Sequence, residues 1–148
     1  MAKSSSDPPP STPPEREEQL RSPRGARISV AIDPTPFYLP EQSDPAQNLY
    51  TFAYHIVIVN TGEVTVKLLS RHWIITDGDG KVEHVRGEGV VGQQPVLAPG
   101  ERFSYTSGSR FRTPVGTMEG SYRFVTEDGT VFDAAIPRFT LSVQRTLH

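Results

Sequence analysis

Over residues 50–59 the chain alternates without interruption. Tyr50, Phe52, Tyr54, Ile56 and Ile58 fall on one side, and Thr51, Ala53, His55, Val57 and Val59 on the other. Successive side chains of an extended strand point to opposite faces, so a period of two predicts a strand whose aromatic side faces a core. Nowhere does an apolar residue recur at i, i+3, i+4 and i+7 across a helix-length window, and little or no α-helix is expected.

The same pattern returns in short runs divided by Gly, Pro, Asn and Asp. Residues 27–32 read as a first strand stopped by Asp33 and Pro34, with a short extended piece at 35–38. Asn60, Thr61, Gly62 and Glu63 make a turn, and residues 64–68 return as the second arm of a hairpin. The period slips at Leu68 and Leu69, so residues 64–76 are either one bulged strand or two consecutive strands. Asp77-Gly78-Asp79-Gly80 forces a tight turn, residues 81–86 return, and 87–100 form a Gly- and Pro-rich connection. Residues 102–107, 116–125, 130–136 and 139–143 complete a set of about seven to eight strands, which implies an all-β sandwich of two sheets.

The sandwich is assigned to residues 25–148. Residues 1–24 hold Pro8, Pro9, Pro10, Pro13, Pro14 and Pro23 among serines and charges, with Leu20 as the one large apolar side chain, and read as a disordered tail. Its Pro10 to Pro13 spacing also fits a polyproline ligand. A net charge of -2 and a pI near 6.1 disfavour nucleic acid as the main partner, because coating phosphates takes clustered Lys and Arg. The chain has no cysteine, which excludes disulfide scaffolds, thiol nucleophiles and thiolate metal sites. No apolar signal segment follows Met1, and the longest apolar run, Ile56-Val57-Ile58-Val59, is far short of a membrane-spanning helix. The expectation is a cytosolic protein without membrane insertion.

Several blocks resemble the ApaG family of small bacterial proteins, also found as a domain in larger eukaryotic chains. They are Arg71-His72-Trp73-Ile74-Ile75-Thr76-Asp77-Gly78, Gly87-Glu88-Gly89-Val90-Val91-Gly92-Gln93-Gln94-Pro95, Pro99-Gly100-Glu101, Tyr105-Thr106-Ser107-Gly108, Gly116-Thr117-Met118-Glu119-Gly120-Ser121-Tyr122 and Ala135-Ile136-Pro137-Arg138-Phe139. The resemblance implies an immunoglobulin-like or fibronectin-type-III-like β-sandwich. It also implies a link to cobalt and magnesium efflux, and a recruiting role, since the eukaryotic domains sit in an F-box protein and a DNA-polymerase-associated protein.

Gly87, Gly89 and Gly92 spell GxGxxG, the string that lets backbone amides approach a pyrophosphate at a helix N-terminus. The following Gln93-Gln94-Pro95 cannot start a long helix, so a dinucleotide fold is not expected. Two readings stay open: glycines that permit a sheet-to-sheet crossing, or a nest of amides for a nucleotide or polyphosphate anion, with Arg86 and Arg102 near. Asp77, Asp79 and His84, with Glu83 and His72 around them, are candidate metal ligands, although the string lacks an EF-hand's twelve-residue loop. A three-residue loop over 78–80 puts His72 and His84 on one face, and a two-residue loop opposes them.

The histidines are His55, His72, His84 and His148, and no GxSxG or HExxH pattern accompanies them. No catalytic residues and no cofactor are therefore assigned. Trp73 reads as a core anchor or an exposed contact, and Phe111 between Arg110 and Arg112 as part of a partner-binding edge or of a charge-protected one. The function expected is a non-catalytic interaction module whose partner is another protein, linked only indirectly to divalent cations, with a homodimer compatible with exposed sheet edges. The alternative is a small-ligand binder at 87–92.

Overall fold

The computed structural model describes residues 20–143. Seven long strands carry the fold: β3 (Val30–Tyr38), β4 (Tyr50–Asn60), β5 (Val66–Asp77), β6 (Val82–Glu88), β8 (Arg102–Phe111), β9 (Val115–Thr126) and β10 (Val131–Ser142). Three two-residue strands join them, β1 (Leu20–Arg21), β2 (Arg27–Ile28) and β7 (Val96–Leu97). One sheet runs β3-β4-β8, the other β10-β9-β5-β6 with β7 also on β5, and every pairing is antiparallel. The expected all-β sandwich is the architecture found. No α-helix occurs among the described residues; the only helical turns are short 3-10 segments, Pro40–Gln42 and Pro45–Gln47.

The tail read over 1–24 lies outside the described residues up to position 19. Leu20–Arg21 pairs with Arg27–Ile28 in a small hairpin, so residues 20–24 are structured. Ser22 Oγ accepts the amides of Arg24 and Ala26 and closes the turn between the arms. Pro34 does not stop the first long strand, which runs on through Pro36 to Tyr38. Proline supplies no amide hydrogen, and β3 is an edge strand whose outer side needs none.

The two sheets enclose one apolar interior. Phe52, Ile56 and Ile58 of β4 meet Leu68, Tyr122, Phe124 and Leu141 there, all essentially sealed from solvent. Trp73 is a core residue, edge-on to Tyr54 at 5.4 Å and to Phe139 at 6.0 Å. Phe111 is also buried, edge-on to Phe52, so it is a packing residue and not an exposed contact.

Fully buried Asn60 satisfies its amide completely. Nδ2 donates to the carbonyls of Val64 and Leu97, and Oδ1 accepts the Gly62 amide. That pins the turn after β4 to β7, and it explains how a polar side chain sits at the end of an apolar strand without an unpaired group.

Candidate functional site

The period slip at Leu68 and Leu69 is a β-bulge. Leu68 pairs with Phe124 and Ser70 with Arg123, leaving Leu69 unmatched within a single strand β5. One extra residue inverts the facing of everything beyond it. Arg71, Trp73 and Ile75, which would otherwise face outward, stand opposite Tyr122, Gly120 and Met118 on the interior side. The bulge also frees the Leu69 carbonyl, which accepts the Gly89 amide at 2.8 Å and the Gln94 side-chain amide at 2.9 Å. A single irregularity thus turns a cation into the sandwich and anchors the loop that covers it.

That loop is the glycine string. Arg71 lies flat over Gly87, where an added Cβ would meet the guanidinium at 2.6 Å. Gly89 has φ +62°, and a side chain there would strike the Gln93 carbonyl at 2.3 Å. Val91 and Gly92 form a tight turn with φ of 43° and 78°, closed by paired hydrogen bonds between Val90 and Gln93. Each glycine has a steric reason unrelated to phosphate. The amides of Gly89, Val90 and Gln93 donate inside the protein, and no helix follows. The cation beneath the loop is Arg71, whereas Arg86 lies on the outer face beside His72 and Arg102 stands opposite Val59.

Arg71 Nη1 donates to the carbonyls of Glu88 and Gly89, 2.9 Å each. Its guanidinium sits in a cleft of about 290 Å³ with Tyr54, Trp73, Tyr105, Ser107 and the 88–92 loop. The Tyr105 and Tyr122 hydroxyls share a short hydrogen bond of 2.5 Å. Burial raises all three tyrosines: Tyr54 upward despite its hydrogen bond with Ser107, Tyr105 to about 12, and Tyr122 further still. These phenols stay neutral donors and acceptors around a permanent cation.

The metal candidates do not converge. Asp77 Oδ1 accepts the amides of Asp79 and Lys81, holding a three-residue loop over Gly78, Asp79 and Gly80. That register puts His72 and His84 on one face, 2.9 Å apart between Nε2 and Nδ1 with rings stacked at 5.1 Å. Among the described residues no three His, Asp or Glu side chains gather as ligands. A broader hollow of about 470 Å³ is lined by Arg71, Arg86 and Arg123 together with Glu88 and Asp133, and Arg123 is already paired with Asp133 at 2.9 Å.

Arg71, Tyr105, Ser107 and Tyr122 lie in the blocks that carry the family resemblance and Tyr54 on the core face of β4, but the sequence assigned none of them to a site. The signal was the slip at Leu68–Leu69: taken as a bulge, it sets Arg71 on the face of Trp73, and an arginine on a core face asks for an explanation.

Residues 40–126 match the ApaG domain family. A curated ApaG protein of Aromatoleum aromaticum is 58% identical over 122 residues, covering 82% of this chain and 96% of that one. Another, from Nitrosospira multiformis, is 57% identical over 124 residues, covering 84% and 98%. The crystal structure of an ApaA protein from Bordetella pertussis is 54% identical with a TM-score of 0.79, covering 80% of this chain and 97% of that one. The blocks noted in the sequence, the two-sheet fold and these matches agree, and the chain belongs to the ApaG family.

Proposed function

We propose that the domain is a non-catalytic protein-interaction module whose docking surface is the flank of the sandwich between the edge strands β6 and β8. The observation that carries this reading is Val91. A β-branched residue at φ 43° is costly, by about 1–3 kcal/mol, and such strain persists where a site needs the shape. Here it holds an apolar side chain 51% exposed at the rim of the Arg71 cleft. Edge strands on either side offer unpaired backbone groups to an extended segment of another protein. A link to cobalt and magnesium then runs through the partner.

Photo-crosslinkers at position 91, on this flank, and at position 140, exposed on β10, test the reading in the native cytosol. The expected result is one protein captured from position 91 and not from 140. That protein, purified, should bind the domain with affinity lowered at least about tenfold by Val91→Asp, as for a buried anchor. Equal capture from both positions, or full affinity in the variant, refutes the reading.

A further inference from the structure

We propose that Arg71 is the group on this flank that reads a carboxylate carried by the docked segment. The proposal rests on the interaction reading and specifies its chemistry. Both hydrogens of Nη1 are spent on the Glu88 and Gly89 carbonyls, which fixes the plane of the guanidinium. Among the described residues Nε and Nη2 have no hydrogen-bond partner, and no carboxylate forms an ion pair with Arg71. Those two nitrogens form the side-on fork that matches two oxygens of a planar anion. A cation set among neutral phenols and an indole has lost part of its hydration, and an incoming anion restores that loss in a medium that screens poorly.

The same geometry selects a monoanion over a polyphosphate. The fork offers two donors, enough for one carboxylate, and Glu88 at the same cleft opposes each further negative charge that a ligand carries. Three amides of the glycine loop are already donated internally. The cleft, about 290 Å³, lies just under the span of about 300–1,000 Å³ usual for sites that take drug-sized ligands, and a carboxylate on a short stem needs far less. Tyr54 and Ser107 stand at the same cleft and supply hydroxyls that turn toward an oxygen anion.

The carboxylate has two sources in a protein, the chain terminus and an acidic side chain. Acetyl-glycyl-glycine, its C-terminal amide and acetyl-aspartyl-glycinamide separate them, with inorganic pyrophosphate as the competing anion. Binding is followed by two-dimensional NMR on the Arg71 Nε–H and the amides of Val91, Gly92 and Ser107. The expected result is millimolar binding of acetyl-glycyl-glycine, of acetyl-aspartyl-glycinamide, or of both, with no response to the glycyl-glycine amide. Arg71→Lys, which keeps the charge but loses the fork, should weaken binding at least about tenfold. Gly87→Ala, which displaces the guanidinium, should do the same while the rest of the spectrum stays dispersed.

Silence from both carboxylates, equal response to the amide, or tighter binding of pyrophosphate overturns the proposal. The two readings fail separately. Capture at position 91 with Arg71 indifferent to carboxylates sinks this proposal alone. Carboxylate binding at Arg71 with no selective capture sinks the docking surface and leaves the carboxylate site standing.

Discussion

The two flanks of the sandwich solve the same problem differently. On one, the edge strands β3 and β10 lie side by side, and the interior behind them is hydrocarbon: Phe124 stacks on Phe132 at 5.4 Å, and Leu141 is fully buried. On the other, β6 and β8 meet at no more than isolated points, and the gap holds Arg71, phenol hydroxyls and a glycine loop. Apolar closure needs no partner, since burial alone stabilises it. A polar cleft under a strained loop is kept at a cost to stability, and such costs concentrate where a surface has work to do.

The largest effect that separates the flanks is on stability. Phe124→Ala, in the sealed interior, should cost about 3–5 kcal/mol in urea unfolding, from lost burial and the cavity left behind. Val91→Gly should change stability by less than about 1 kcal/mol, because relief of the left-handed valine offsets the entropy that glycine adds to the unfolded chain. If the two substitutions cost alike, Val91 is a packing residue and the contrast collapses.

A smaller effect follows from the phenols. Burial raises Tyr54, Tyr105 and Tyr122 above the ordinary value of 10, so the fold prefers their neutral forms. Their contribution is fully present below pH 10 and is lost as pH rises toward about 12, where Tyr105 ionises in the fold while the unfolded chain has already released its protons. Ultraviolet titration should leave Tyr105 and Tyr122 un-ionised at pH 11, with the unfolding midpoint falling above pH 10. Tyr122→Phe should cost about 1–2 kcal/mol by stranding the Tyr105 hydroxyl, and should bring Tyr105 ionisation no lower. Full ionisation by pH 11 in the folded protein would mean that the open flank is wet throughout, with no low-dielectric setting for Arg71.

How much of this was legible in the sequence differs between the flanks for the same reason. Alternation is local, so β4 and its core face, the hairpin turns and the sandwich could be read from residues 50–59 and their repeats. Pro34 misled, because a proline's effect depends on whether its strand is at an edge, which only the sheet order decides. The open flank depends on one unpaired residue. Leu68 and Leu69 announced an irregularity, but a bulge sets the facing of Arg71 whereas a break leaves it open, and only pairing with β9 distinguishes them. The glycine string was visible and its role was not. What Gly87 accommodates is the guanidinium from across the ladder, a contact between residues sixteen positions apart in sequence.

The smallest effect lies on the outer face of the strand pair that borders the open flank. His72 and His84 share one hydrogen bond, so one ring donates and the other accepts, and protonating both leaves two donors facing each other. Loss of hydration lowers His72 from 6.5, and Arg86 and His84 lower it further. The fold thus favours neutral His72: that contribution is present above pH 6.5 and is lost as pH falls through the lowered value. With the ring so exposed, stability should barely register the change. An NMR titration should place His72 below 6.5, and His84→Gln should move it back toward 6.5 by removing a neighbouring charge. A His72 that titrates at or above 6.5 would mean that the two side chains are not held ring to ring, which a change of rotamer alone allows. The register of β6 on β5 is tested instead by the cross-strand neighbours that it sets, Trp73 opposite Val85 and Arg71 opposite Gly87, in backbone nuclear Overhauser contacts.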